Sequence, residues 1–211
     1  MIARPFRVER AMSKNVSPPQ PAPRSRAIVR GAAMALALIA LDAGAAQDLT
    51  ITYYDVHGGN LQELRTSLTA RGPVGKDGAR HHGHVDWHVG WNYDYAPRGV
   101  GCRIGKLRVD VKATMVLPRW TGLDTAPASL QQEWARYSQA LRGHEDGHAA
   151  HADQAAEEIQ RRFAAVGGGM RCTQFGEELN RIGQAVLDEY AARDKQYDDT
   201  TEHGATQGAR L

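Results

Sequence analysis

Between Ala128 and Ala165 the chain has no proline, and its large apolar and histidine side chains recur at three- and four-residue spacing. The stripe reads Trp134, Tyr137, Leu141, His144, His148, His151, Ala155, Ile159 and Phe163. That periodicity predicts one long amphipathic helix, ended by Gly167–Gly168–Gly169. Three histidines fall on the face that should be buried, and a buried polar group needs a partner. Two of them belong to the string HEDGH, His144-Glu145-Asp146-Gly147-His148, an HExxH pattern. Residues four apart on a helix share a face, so His144 and His148 can offer two imidazole nitrogens to one Zn²⁺. Glu145, beside the first of them, can act as general base on a water at the metal. Gly147 weakens a helix by about 1 kcal/mol relative to alanine. Its presence predicts that something, such as a substrate strand, packs closely there. The competing reading is a histidine pair on an ordinary helix.

The first 46 residues read as a leader outside the fold. Met1 to Pro23 is proline-rich, Arg24, Arg26 and Arg30 are basic, and Gly31 to Leu41 is apolar. Small residues from Ala43 to Ala46 predict cleavage of a signal peptide near Ala46–Gln47. The apolar run is too short for a stable membrane span. Of the 26 Lys/Arg and 24 Asp/Glu, seven and two lie in this leader, leaving residues 47–211 with a net charge near −3. The basic excess therefore belongs to the leader, and nothing points to nucleic acid. The remainder suits a single domain. Its two cysteines, Cys102 and Cys172, are expected to pair in an exported protein. The alternative, cysteines as zinc ligands, is redundant beside HExxH.

Ahead of the motif helix, Leu49–Val56 reads as a strand and Leu61–Ala70 as a short helix capped by Asn60. His84–Tyr95 alternates strictly, with Val85, Trp87, Val89, Trp91 and Tyr93 on one face, and predicts a half-buried strand. Arg103–Leu117 predicts another, stopped by Pro118. His81, His82, His84 and His88, with Asp86, read as an exposed loop and strand face rather than a second metal site. After the motif helix a last helix is expected from Thr173 to Ala192, followed by a polar tail. The expected fold is α+β, a small antiparallel sheet packed on two long helices, zincin-like. An exposed sheet edge would suit an extended peptide.

Several strings together resemble a known family. They are Tyr54–Val56, Trp87–Tyr93 (WHVGWNY), Cys102–Arg103, Leu117–Trp120 (LPRW), HEDGH, Cys172 and the terminal YDDTTEHGATQGARL from Tyr197. The chain resembles domain of unknown function 922, a family of secreted bacterial proteins described as predicted zinc-dependent proteases. The resemblance implies that fold family, and says nothing of what is cleaved.

A catalytic zinc usually has three protein ligands. His203, in the tail that resembles the family's C-terminal pattern, is the first choice for the third. Glu177, Glu178, Asp188, Glu189 and Asp199 would give a His-His-carboxylate set. His151 is about 10 Å from His144 along the axis, which strains a shared site. Tyr197 is a candidate oxyanion stabiliser. The expected function is a periplasmic or extracellular zinc metallopeptidase acting on a peptide or protein. Alternatives are a zinc amidase acting on cell-envelope amides and a non-catalytic metal-binding envelope protein.

Overall fold

The computed structural model describes residues 46–75 and 77–211. All of the predicted leader except Ala46 lies outside the described residues. The elements follow in the order β1 (Ala46–Val56), α1 (Leu61–Arg71), β2 (His84–Arg98), β3 (Gly101–Trp120), a 3-10 turn at Leu123–Thr125, α2 (Ala128–Ala164), α3 (Cys172–Thr201) and a second 3-10 turn at Ala205–Gln207. Asn60 caps α1 as expected. Its side chain accepts from the Glu63 amide at 3.0 Å, and the Glu63 carboxylate accepts from the Gly59 amide at 2.7 Å. This reciprocal pair satisfies the Glu63 amide, which the first turn leaves open, and the Gly59 amide just before the cap.

The α+β class holds, but the sheet is mixed rather than antiparallel. β3 is central, with β2 antiparallel on one side and β1 parallel on the other. Alternation in a sequence tells which face a side chain takes and carries no information on strand direction. Nor does Pro118 stop β3, which continues to Trp120. The β2 ladder ends at His84–Val116, so Pro118 pairs only with Tyr54 of β1. With one partner strand, a missing N–H is tolerated.

Alternate residues of the strands cover the helices, and the opposite face carries polar residues. Two apolar cores result. The first gathers Val56, Leu64, Leu68, Met115, Trp120, Trp134, Tyr137 and Leu141. The second gathers Val89, Val111, Ala152, Ala155, Ile159, Phe163, Phe175, Leu179, Val186 and Tyr190. Along α2 the first core ends at Leu141 and the second begins at Ala152. The histidine motif occupies the gap between them. The polar side chains of the motif are therefore buried between the two cores rather than exposed.

The last helix runs to Thr201, nine residues beyond the expected end at Ala192. The first nine residues of the supposed polar tail are therefore helix. Contacts of His151 and His148 with Asp194, and of His144 with Asp198, show α3 antiparallel to α2. The disulfide Cys102–Cys172 joins the start of β3 to the start of α3 across 70 residues, with Cα atoms 5.0 Å apart. Among the described residues no helix is long and apolar enough to cross a membrane.

Candidate metal centre

His144, Glu145 and His148 are 3%, 3% and 7% exposed, although all are polar. The partner shared by the two histidines comes from the last turn of α3. His144 Nε2 and His148 Nε2 each lie 3.1 Å from Asp198 Oδ1, and 3.3 Å from each other. Ligands of one tetrahedral zinc, at 2.0–2.1 Å from it, sit about 3.3 Å apart. The triangle of three donors therefore has the size a shared zinc requires, with a fourth position left over. The chemistry of the donor set, two imidazoles and a carboxylate, also fits.

A second trio, His148, His151 and Asp194, also converges. Its distances identify a different job. His151 Nδ1 is 2.6 Å from Asp194 Oδ1, too short for two ligands of one zinc but normal for a charge-assisted hydrogen bond. His148 Nδ1 meets the same oxygen at 3.0 Å, and Trp87 Nε1 donates to Asp194 Oδ2 at 2.5 Å. Asp194 thus has three donors. It fixes the His148 ring so that Nε2 faces Asp198.

His144 is held differently. Its Nδ1 lies 2.9 Å from Gln207 Oε1 and 3.5 Å from Thr201 Oγ1. Tyr197 stacks on its ring, with centroids 4.8 Å apart and planes 13° apart. A Cβ at Gly147 would fall 2.5 Å from the Tyr197 hydroxyl. The close packing expected at Gly147 is therefore real, but the neighbour is Tyr197 of the same chain. With its hydroxyl on Gln207, at 3.0 Å from Nε2, Tyr197 is placed to position His144.

Glu145 is pressed against the backbone, where a Cβ at Gly83 would overlap its carboxylate. Burial raises its pKa to about 7, against a smaller lowering by His148 and His144. Behind it, the Tyr54 hydroxyl donates to the His82 carbonyl at 2.8 Å, and the Tyr137 hydroxyl lies 2.9 Å from His82 Nδ1. Desolvation raises both tyrosines and lowers His82, so all three are neutral near pH 7.

The electrostatics call for a cation. Burial alone would raise Asp198, but hydrogen bonds from His144 and His148 outweigh it and hold the carboxyl well below the usual range. Asp194 is lowered in the same way by His148, His151 and Trp87. Desolvation alone would lower His148, yet its bonds to Asp194 and Asp198 raise it to about 10. Two carboxylates facing buried imidazoles bind a proton tightly, and a metal ion answers the same need by displacing it.

Of the residues expected from sequence, His144, Glu145 and His148 come together. His203 does not join the converging donors. It is half exposed, places Nδ1 3.2 Å from Asp198 Oδ1, and packs on His81 with centroids 4.5 Å apart. His151 holds Asp194. The carboxylates named as alternatives point elsewhere: Glu178 pairs with Arg181, Glu189 with Arg162, Asp199 with Lys195, and Asp188 accepts from Gln184. Glu177 is exposed. His81 and His82 belong to the site rather than to an exposed loop, whereas His84 and His88 lie on the outer sheet face with Asp86.

Sequence reasoning missed Asp194, Asp198 and Gln207. A signal for the aspartates existed. Continuing the α3 stripe from Val186 and Tyr190 at the same spacing reaches Asp194, Tyr197, Asp198 and Thr201. Counting only apolar residues ended the helix where its buried face turned polar. Gln207 lies beyond a chain reversal and left no periodic trace.

The sequence model of the family described as bacterial protein of unknown function (DUF922) matches residues 51–204, and the chain belongs to that family. No curated protein and no solved structure matches it.

Proposed function

We propose that this DUF922 chain is a zinc-dependent metallopeptidase with a zincin-like site on α2. The observation that carries the reading is the triangle of His144 Nε2, His148 Nε2 and Asp198 Oδ1, with Glu145 buried beside it. Three protein ligands leave one position open, which is the arrangement of catalytic rather than structural zinc. A zinc ion held there supplies a Lewis acid that polarises a carbonyl and acidifies water.

The chain's own groups do the rest. His144 and His148 would hold the metal through Nε2, because Gln207 and Asp194 occupy their Nδ1 atoms. Glu145 takes up a proton at its carboxylate and returns it to the leaving amine. In the metal-free protein burial raises this carboxyl to about 7, and a base with a raised pKa suits both halves of that transfer. Tyr54, Tyr137 and the Gly83 backbone wall in the carboxylate and exclude water behind it.

A peptide substrate is supported by β2, which has a partner strand on one side only among the described strands. It begins next to Gly83, so an extended chain laid along its free edge would run past Glu145. The disulfide fits an exported protein, since such bonds persist in oxidising compartments.

The test is elemental analysis of purified protein together with cleavage of a peptide library read by mass spectrometry. Wild type and Glu145→Gln should both carry one zinc per chain, and only wild type should cleave. A chain that takes up no stoichiometric metal, or a Glu145→Gln variant as active as wild type, overturns the proposal.

A further inference from the structure

Beyond Thr201 the chain turns back on itself. Glu202, His203 and Gly204 are all left-handed, with φ of 50°, 51° and 82°. Two consecutive non-glycine residues in that region store strain, and strain of this kind persists only where surrounding contacts enforce it. The Glu202–Leu211 segment has those contacts. Ala209 is 8% exposed and belongs to the first core. Arg136 of α2 donates to the carbonyls of Gly208 at 2.9 Å and Arg210 at 2.7 Å. Arg65 of α1 donates to the Leu211 carbonyl at 2.5 Å. Gly204 approaches His144 so closely that a Cβ there would lie 2.9 Å from the ring.

Two residues of this hook, Gly204 and Gln207, close on one ring, that of His144. An imidazole that gives Nε2 to a metal must carry its proton on Nδ1, and something must accept that proton. At His148 the acceptor is Asp194 on α3. Neither α2 nor α3 offers a carboxylate to His144 Nδ1. The hook supplies Gln207 Oε1 instead, at 2.9 Å, and Tyr197 fixes the amide by accepting from Gln207 Nε2 at 3.0 Å.

We infer that residues 202–211 are part of the metal site, with Gln207 as the positioning residue that holds the His144 ring and tautomer for metal binding. The inference rests on the metal reading above. It is independent of whether the chain cleaves peptides, because its readout is zinc affinity. It also gives a reason for the strained turn: a straight continuation of α3 would carry Gln207 away from α2.

The experiment is zinc binding by competition with a chromophoric chelator, with thermal melting of the metal-free proteins alongside. Wild type is compared with Gln207→Leu, Gln207→Glu and Arg136→Ala. Partners of this kind typically control about 10–100-fold in metal affinity. Gln207→Leu should lose roughly that much while its metal-free melting temperature stays near wild type. Gln207→Glu restores an acceptor and should bind zinc as well as wild type or better. Arg136→Ala, which loosens the hook without touching His144, should weaken zinc by a smaller factor. Gln207→Leu binding zinc within twofold of wild type overturns the inference and leaves the metal site standing. Equal losses in Gln207→Leu and Gln207→Glu also overturn it, because a merely structural role would not distinguish them. A wild type that binds no zinc overturns the metal reading itself.

Discussion

Two glycines of α2, four residues apart, should respond differently to the same substitution. Both sit in the helix interior, and Gly→Ala there contributes about 1 kcal/mol of stability through propensity alone. A Cβ at Gly143 meets nothing within 4 Å, so Gly143→Ala should gain most of that. A Cβ at Gly147 would lie 2.5, 2.7 and 2.9 Å from Oη, Cζ and Cε1 of Tyr197. Tyr197 cannot simply swing aside, because its ring is stacked on His144 and its hydroxyl is bonded to Gln207. Overpacking of this kind costs about 1–3 kcal/mol. The propensity gain is common to both variants and cancels in their comparison, so the gap between them measures the contact. For a chain of this size 1 kcal/mol shifts the melting temperature by about 2–4 °C, which puts the gap at roughly 2–12 °C. The assay is thermal unfolding of the metal-free proteins followed by circular dichroism, with zinc affinity measured in parallel. Gly147→Ala should also bind zinc more weakly, since displaced Tyr197 no longer holds His144. If Gly147→Ala is stabilised as much as Gly143→Ala and binds zinc normally, the packing of α3 on the motif is not as described.

Three other outcomes are expected. Asp198→Ala should reduce zinc affinity more than His203→Ala does, because Asp198 Oδ1 completes the donor triangle and His203 only hydrogen-bonds to it; the reverse order in chelator competition would restore His203 as the ligand. In the metal-free protein, Glu145 titrates at about 7 when folded against 4.5 in its unperturbed state. The folded chain therefore binds the extra proton between those values, and this group's contribution to stability falls as pH rises through that window. Glu145→Gln should accordingly gain on wild type between pH 4.5 and 7, by up to about 3 kcal/mol, and denaturant melts showing a pH-independent difference would contradict the burial argument. Replacing both cysteines with alanine opens a closure of 70 residues and should cost about 4 kcal/mol in the chain-entropy model; an unchanged denaturation midpoint would show that the bridge constrains little.

How much was legible in the sequence depended on whether the signal was local. The α2 stripe, the Asn60 cap and the alternating β2 all appear as expected, because periodicity and capping act within one element. The pair His144 and His148 with Glu145 was legible for the same reason: one helix turn brings those residues together. The third donor was not, because it comes from another helix. Its nearest clue, the continuation of the α3 stripe into Asp194 and Asp198, reads as a polar tail until a partner for it is known. Strand direction was equally hidden, and the mixed sheet follows from β1 returning beside the far half of β3.

The sequence by itself therefore determined the helices, the faces they bury and two of the three donors. Only the tertiary structure decided that α3 runs on to Thr201 and that Asp198 closes the triangle. The same holds for Asp194 and Gln207 sharing the two histidine rings between them, and for Tyr197 filling the notch at Gly147. The physical reason is the range of the forces involved. Side-chain periodicity is written by neighbours three or four residues apart. The partners of a buried polar group are chosen by which carboxylates and amides the packing of the two helices and the final hook happens to bring within about 3 Å.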